Sequence, residues 1–484
     1  MNNSTLTNLK IDSHRYNNES PFVAMHWLHR ILLIATVVIY LLFVVVQVYF
    51  NPKSTLALQW VNLGLVVNFL LLLIPVIFYQ PSYGWFHPLI FNIFLTLINE
   101  IRKTPIYING LESHIALPGW NSESLTFLLA DNVALSIVGL VSYYFGFFFS
   151  PRFGNLQLTF LQPRHLKLKV LCVVIFSVIA CAVYMQIQGG IAAHILSWGE
   201  GRRVTLAGQF YWQFLIQFGA IACLIWLAKD PQAHRQGPFW MCSVSSLIIN
   251  FLSGGSRSSV IYFIICGLLV SMMRDRKIAF TQIITVVLIG LFLLGILGDF
   301  RNSTWSGEIN WNTLNQPSPT ESIFGLATDE LGSRSGEGSG AIPILALVPN
   351  QVDFLYGSSY LAALTILIPR GLWPGKPGLV DGVVGKTFFD LDAGIPLEPS
   401  LEAYWNFGLP GVVIVFLIFG LFHKWLVWTF RNYVTEPSTL VPYVLILYLL
   451  EPSGPAIINS MISITSSVIL LRAFGVLSFP SKSR

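Results

Sequence analysis

Apolar residues in this chain come in long unbroken runs. They show neither the one-faced periodicity of a soluble helix nor the alternation of a half-buried strand. A helix needs about 20 apolar residues to cross the hydrocarbon of a bilayer. Such runs fall at 27–50, 56–79, 127–150, 168–187, 209–228, 258–273, 279–298 and 409–430. Weaker runs at 84–101, 238–253, 440–451 and 455–476 are short or carry Asn, Ser and Pro, so they are expected to face protein rather than lipid. The pattern predicts an all-α integral membrane protein of about 12 transmembrane helices, forming a single polytopic domain over residues 1–484.

The polar stretches between the runs are short, with one exception. Residues 299–408 make a large loop whose first half is rich in Gly, Ser, Thr and Asn, including GSRSGEGSG at 332–340. Its second half holds IPILALV (342–348) and YLAALTILI (360–368), apolar but too short to span, which predicts short helices capping the bundle. The first 20 residues are polar and Asn-rich and lack the apolar core of a signal peptide, so they are expected to form a short cytoplasmic tail.

Composition agrees with a lipid-covered surface. Residues are 54% apolar and only 11% charged, against roughly 25% charged in a soluble chain. The net charge of +5 is spread over many loops, with no basic block, which argues against nucleic acid as a partner. Cys172, Cys181, Cys223, Cys242 and Cys266 all lie inside apolar runs, which disfavours a disulfide framework or a thiolate metal site.

Lys and Arg prefer cytoplasmic loops. With both termini inside, 17 of the 28 basic residues are cytoplasmic, among them Arg164, Lys167, Lys169, Lys229, Arg274 and Lys424. The other 11, including Lys103, Arg202, Arg203, Arg257, Arg370 and Lys376, are then outside, together with the loop 299–408.

The outside arginines fall in distinctive settings. Arg202 and Arg203 lie in GEGRRVTLAG, and Arg257 in SGGSRSS where a helix is expected to open. Arg370 and Lys376 lie in IPRGLWPGKP, and Glu402 stands beside Tyr404, Trp405 and Asn406. Arginine forks grip diphosphate oxygens, aromatic rings stack on sugars, and a carboxylate, here Glu402 as the expected catalytic base, can take a proton from an attacking hydroxyl. This set of groups suits a lipid-linked diphosphate sugar. Plainer readings stand beside it. Arg202 and Arg203 can snorkel to lipid phosphates, Arg257 can cap a neighbouring helix, and Glu402 can pair with Arg370 to shape a turn. Asp381, Asp390, Asp392 and Glu398 compete for an acidic role, and Glu451 ends a weak span where it could line a cavity.

The helix count, GGSRSS, the loop sequence YGSSYLAALTILIPRGLWPGKP and the E-x-Y-x-N-F-G-x-x-G entry to the next span together resemble the oligosaccharide repeat-unit polymerases, the Wzy-type or O-antigen polymerases. The resemblance implies a GT-C-like bundle with one large extracytoplasmic loop containing short helices. It implies a polysaccharide polymerase of the bacterial plasma (inner) membrane, multi-pass, with cytoplasmic termini. That enzyme joins undecaprenyl-diphosphate-linked oligosaccharide units without a metal or other cofactor, beside a flippase and a chain-length regulator. By motif position Arg257 and Arg370 match the family's outer-loop arginines; Arg202 and Arg203 match only by place before a span. The related O-antigen ligases use a loop histidine, which the loop 299–408 lacks. A lipid-linked oligosaccharide flippase is the alternative from another class, and it would need charge inside the spans, where Asp131 is the main case.

The charge split makes topology testable. In a background without the native cysteines, an impermeant thiol reagent applied to intact cells should label Ser339→Cys and spare His165→Cys; the reverse pattern overturns the orientation.

Overall fold

The structure is a computed structural model. It describes residues 22–51, 54–80, 82–110, 121–149, 159–200, 210–255, 257–305, 342–366, 368, 372–390, 394–433, 436–449 and 451–478. Helices account for almost all of it. In chain order they are α1 (Trp27–Phe50), α2 (Leu56–Ile77), α3 (Pro88–Arg102), α4 (Thr104–Asn109), α5 (Ser122–Phe149), α6 (Leu166–Ile187), α7 (Ile191–Glu200), α8 (Phe210–Lys229) and α9 (Gly237–Leu252). They continue with α10 (Arg257–Asp275), α11 (Phe280–Trp305), α12 (Ile342–Leu347), α13 (Ser358–Leu364), α14 (Val380–Phe389), α15 (Pro399–Asn432), α16 (Leu440–Leu449) and α17 (Gly454–Ala473). Two-residue strands, β1 (Thr159–Phe160) and β2 (Leu477–Ser478), pair antiparallel.

Over the described residues each apolar run is helical along most of its length. Among the described residues seven helices, α1, α2, α5, α6, α8, α15 and α17, are long and apolar enough to cross a membrane. The expected 12 crossings do not follow from helix length. At about 1.5 Å per residue, the 15 residues of α3 and the 10 of α16 fall short of a hydrocarbon core of roughly 30 Å. The edges of the 299–408 loop are also helical: α11 runs on to Trp305, and α15 starts at Pro399. At Phe407 and Gly408 α15 leaves helical geometry, so the expected span entry near 409 falls at a kink.

Capping residues start several helices as the sequence dictates. Thr55 accepts from the Leu58 N–H and Ser453 from the Ala456 N–H, while Pro occupies the first turn of α3, α15 and α17. α1 buries a single seam of Leu33, Val37, Leu41, Val44 and Val48 and leaves its other faces to lipid. All five cysteines are free thiols.

One core joins α1, α2, α3 and α5; a second joins α6, α8, α10, α16 and α17. α12, α14 and the first part of α15 form a smaller third core. α15 lies along α5 in the most extensive helix pair among the described residues. Gly146 of α5 faces the Leu417 carbonyl, and Gly420 of α15 faces the Tyr143 carbonyl, so closely that a Cβ on either would collide with backbone. Lipid gives apolar helices no hydrophobic reason to pair, and small residues that let backbones touch supply the attraction instead.

The two ends of the bundle differ chemically. At one, Lys229 pairs with Glu436, Lys169 Nζ donates to the Phe474 carbonyl (2.8 Å) and Arg274 Nη1 to the Leu227 carbonyl (2.6 Å). These are residues that the charge bias groups together on the cytoplasmic side. The opposite end gathers the last turn of α3 and the starts of α15 and α17, and it carries the candidate site.

The glycine contact predicts that Gly146→Leu or Gly420→Val destabilises the protein by about 3 kcal/mol or more. Thermal unfolding in detergent should show a clearly lowered Tm for both variants, and an unchanged Tm would contradict the contact.

Candidate functional site

α3 is short, and its polar residues recur every three to four positions. Asn92, Thr96, Asn99, Glu100 and Lys103 therefore share one face. That face lines a cleft of about 190 Å³, room for on the order of ten waters. Across from it stand Ser136, Leu140 and Tyr143 of α5, Phe416, Phe419 and His423 of α15, and Glu451 between α16 and α17. The cleft thus runs from a charged mouth to an aromatic floor.

At the mouth one cation serves two carboxylates. Lys103 Nζ lies 2.7 Å from Glu398 Oε1 and 3.1 Å from Glu100 Oε1. The Tyr107 hydroxyl donates to the other oxygen of Glu100, and Asn132 Nδ2 donates to Glu398 Oε2 at 3.0 Å. Burial works against the Lys103 ammonium, but Glu100 and Glu398 outweigh it and hold its pKa well above the ordinary lysine value. Glu451 opens onto the cleft, and among the described residues its carboxylate has no hydrogen-bond or ion-pair partner. Protein packed around it raises its pKa, Glu398 adds to the shift, and Lys103 opposes it. On the floor, Tyr143 Oη and His423 Nδ1 are 2.9 Å apart. His423 is 4% exposed, and its Nε2 has no partner among the described residues.

Glu402 lies beside the cleft but is closed off from it, with 0% exposure. Ser359 Oγ donates to its Oε1 at 2.6 Å and the Gly454 N–H to its Oε2 at 2.9 Å. Asn406, also buried, donates to Ser359 Oγ at 2.8 Å and accepts from the Gly357 N–H at 2.9 Å. Glu402 and Asn406 therefore pin the start of α15 to α13 and to the start of α17. Trp405 is 1% exposed, with its Nε1 donating to the Asp353 carbonyl (3.2 Å) and its ring against Phe388. Tyr404 is half-buried at the edge of the third core. Lys376 is buried and donates to the carbonyls of Ile366 (3.0 Å) and Ile368 (3.1 Å).

Arg202, Arg203, Arg370 and Asp392 lie outside the described residues. α10 does open at Arg257, after Gly255 at φ 60°, but the Arg257 side chain also lies outside the description. Asp390 is exposed at the end of α14, away from the cleft lining. Of the acidic rivals, Glu398 and Glu451 are the two that reach the cleft. Glu100, Lys103 and His423 were not singled out from the sequence; the signal for the first two was the polar stripe that weakened the 84–101 run.

These features define a helical membrane-embedded protein with a polar cleft at one end of its bundle. The chain belongs to the family described as a domain of unknown function (DUF8712), matched over residues 185–432. It is similar to Protein CapE of Staphylococcus aureus, 29% identical over 173 residues, which are 35% of this chain and 35% of that protein. The alignment thus spans about a third of the length of the curated relative. No solved structure matches the chain.

The Glu402 pin is testable by isosteric change. Glu402→Gln places an amide NH₂ against one of two donors, and it should cost about 1–3 kcal/mol of stability. A lowered Tm in detergent is expected; an unchanged Tm with turnover lost would instead mark Glu402 as a reacting group.

Proposed function

We propose that this protein is a membrane glycosyltransferase of capsular polysaccharide biosynthesis that polymerises lipid-linked oligosaccharide repeat units. The observation that carries the reading is the cleft. Carboxylates, amides and hydroxyls on α3 and α5 face aromatic rings on α15. Such a lining suits a sugar, whose hydroxyls need hydrogen-bond partners and whose C–H faces need apolar contact. The similarity to Protein CapE supports the same setting.

In this reading the oligosaccharide is carried on undecaprenyl diphosphate at the outer face of the plasma membrane. Arg257 and Arg370, with Arg202 and Arg203, hold the diphosphate and offset the charge that builds on it as it leaves. Lys376, Glu402, Tyr404 and Trp405 shape the loop and span entry above the cleft. A flippase upstream delivers the substrate, and a chain-length regulator sets how far it is extended.

Deleting the gene in its native strain should abolish long polymer and leave single lipid-linked repeat units on the outer face. Accumulation on the inner face would mark a flippase instead, and polymer that persists on its lipid would mark a ligase. Arg257→Lys and Arg370→Lys keep charge but lose the two-pronged grip. Each should lose most polymer at normal protein level, and full polymer in both would overturn the arginine assignment.

A further inference from the structure

Four carboxylates stand at or beside the mouth of the cleft, and three of them are committed. Glu100 accepts from Tyr107 and pairs with Lys103, Glu398 pairs with Lys103 and accepts from Asn132, and Glu402 is sealed by Ser359 and Gly454. Glu451 alone of the four has neither ion pair nor hydrogen bond among the described residues, and it is exposed to the cleft. It is held in place by a short link: the Ser453 N–H donates to the Glu451 carbonyl at 2.8 Å, and Ser453 in turn caps α17. The acids do not converge as a metal-binding group among the described residues. The floor adds an independent sign of a ligand, because the buried His423 lines the same cleft with its Nε2 unpartnered. The cleft volume of about 190 Å³ is on the scale of one sugar ring rather than a chain.

We infer that Glu451 is the general base of the transfer and takes the proton from an acceptor-sugar hydroxyl seated in the α3 cleft. The inference rests on the glycosyl-transfer reading above and names the acceptor side of that site. Asn92, Thr96 and Asn99 hydrogen-bond the ring hydroxyls, and Phe416 and Phe419 cover its apolar face. As the acceptor oxygen bonds to the anomeric carbon of the donor chain, its proton passes to a Glu451 carboxylate oxygen. The bond from that carbon to the lipid diphosphate breaks, and the diphosphate leaves with the electron pair. Glu451 then gives its proton to water. The groups that face Glu451 are Glu398 and Lys103 from the far side of the mouth and Tyr448 from the end of α16. The protein around the cleft mouth and the nearby Glu398 raise the pKa of Glu451, which makes it a better proton acceptor than an ordinary carboxylate.

The test uses full-length protein reconstituted in liposomes with lipid-linked repeat units extracted from the deletion strain. Glu451→Gln should lower the polymerisation rate by roughly 10²–10⁴-fold at unchanged Tm and protein level. Glu451→Asp, which keeps the acid but retracts it, should fall between. The wild-type rate should rise with pH through a midpoint above the usual carboxylate range, and the residual rate of Glu451→Gln should lack that rise. Near-wild-type polymer from Glu451→Gln, in a strain whose deletion abolishes polymer, overturns the role of Glu451 and leaves the transferase reading intact. A deletion strain with unaltered polymer removes the reading itself. If Glu451→Gln fails to fold, the wild-type pH profile and Glu451→Asp decide, and a flat profile overturns the inference.

Discussion

Helices surrounded by hydrocarbon gain nothing by hiding apolar side chains from one another, so the bundle depends on the places where backbones meet or polar groups pair. The contact between α5 and α15 is the main one. Gly146 and Gly420 let each helix press on a carbonyl of the other, and this fixes α15 as the axis to which the rest is referred. The cap of α12 and α14 packs on its first turns, the cleft lies along its aromatic flank, and the Glu402 pin joins its start to α13 and α17. Any loosening of the α5–α15 contact would therefore be felt at the cleft as well as in stability.

The charged mouth follows a second constraint. Lys103 is the cation that holds the end of α3 against the start of α15, because it pairs with Glu100 on one side and Glu398 on the other. Burial disfavours each charge alone, yet the three offset one another. Their mutual pairing leaves Glu451 as the acid not spent on holding the fold. Carboxylates with and without a partner thus sit side by side at this end of the bundle.

Helix positions were legible in the sequence because the need for about 20 apolar residues per crossing is written locally. The run at 27–50 coincides with α1, and the boundary at 408 coincides with the kink in α15. The weak run at 84–101 was read as facing protein, and its Asn and Thr residues do face the cleft. Crossing count was less legible, since the run at 440–451 was counted as a span although α16 is only 10 residues long. The site was legible only as a list of residue types. Glu451 was seen as a possible cavity acid, but nothing local distinguishes it from Glu402. The difference lies in Ser359 and Gly454, which reach Glu402 from elsewhere in the chain. His423 looked like one more residue of an apolar span, because its partner Tyr143 is 280 positions away.

That separation bears on how the protein is made. Asn132 is bonded to Glu398 across 266 residues, and Glu402 to Gly454 across another 52. At roughly 5–20 residues per second, α3 and α5 emerge from the ribosome some tens of seconds before the residues that complete the mouth of the cleft. In that interval Glu100 already has Lys103 and Tyr107 close by in the chain, while Lys103 and Asn132 still lack Glu398. A chain broken off before residue 454 would keep most of its helices and lack the Gly454 link to Glu402 beside the cleft. The start of α15 is thus pinned only once α17 has joined the bundle, long after the helices that line most of the cleft have been made.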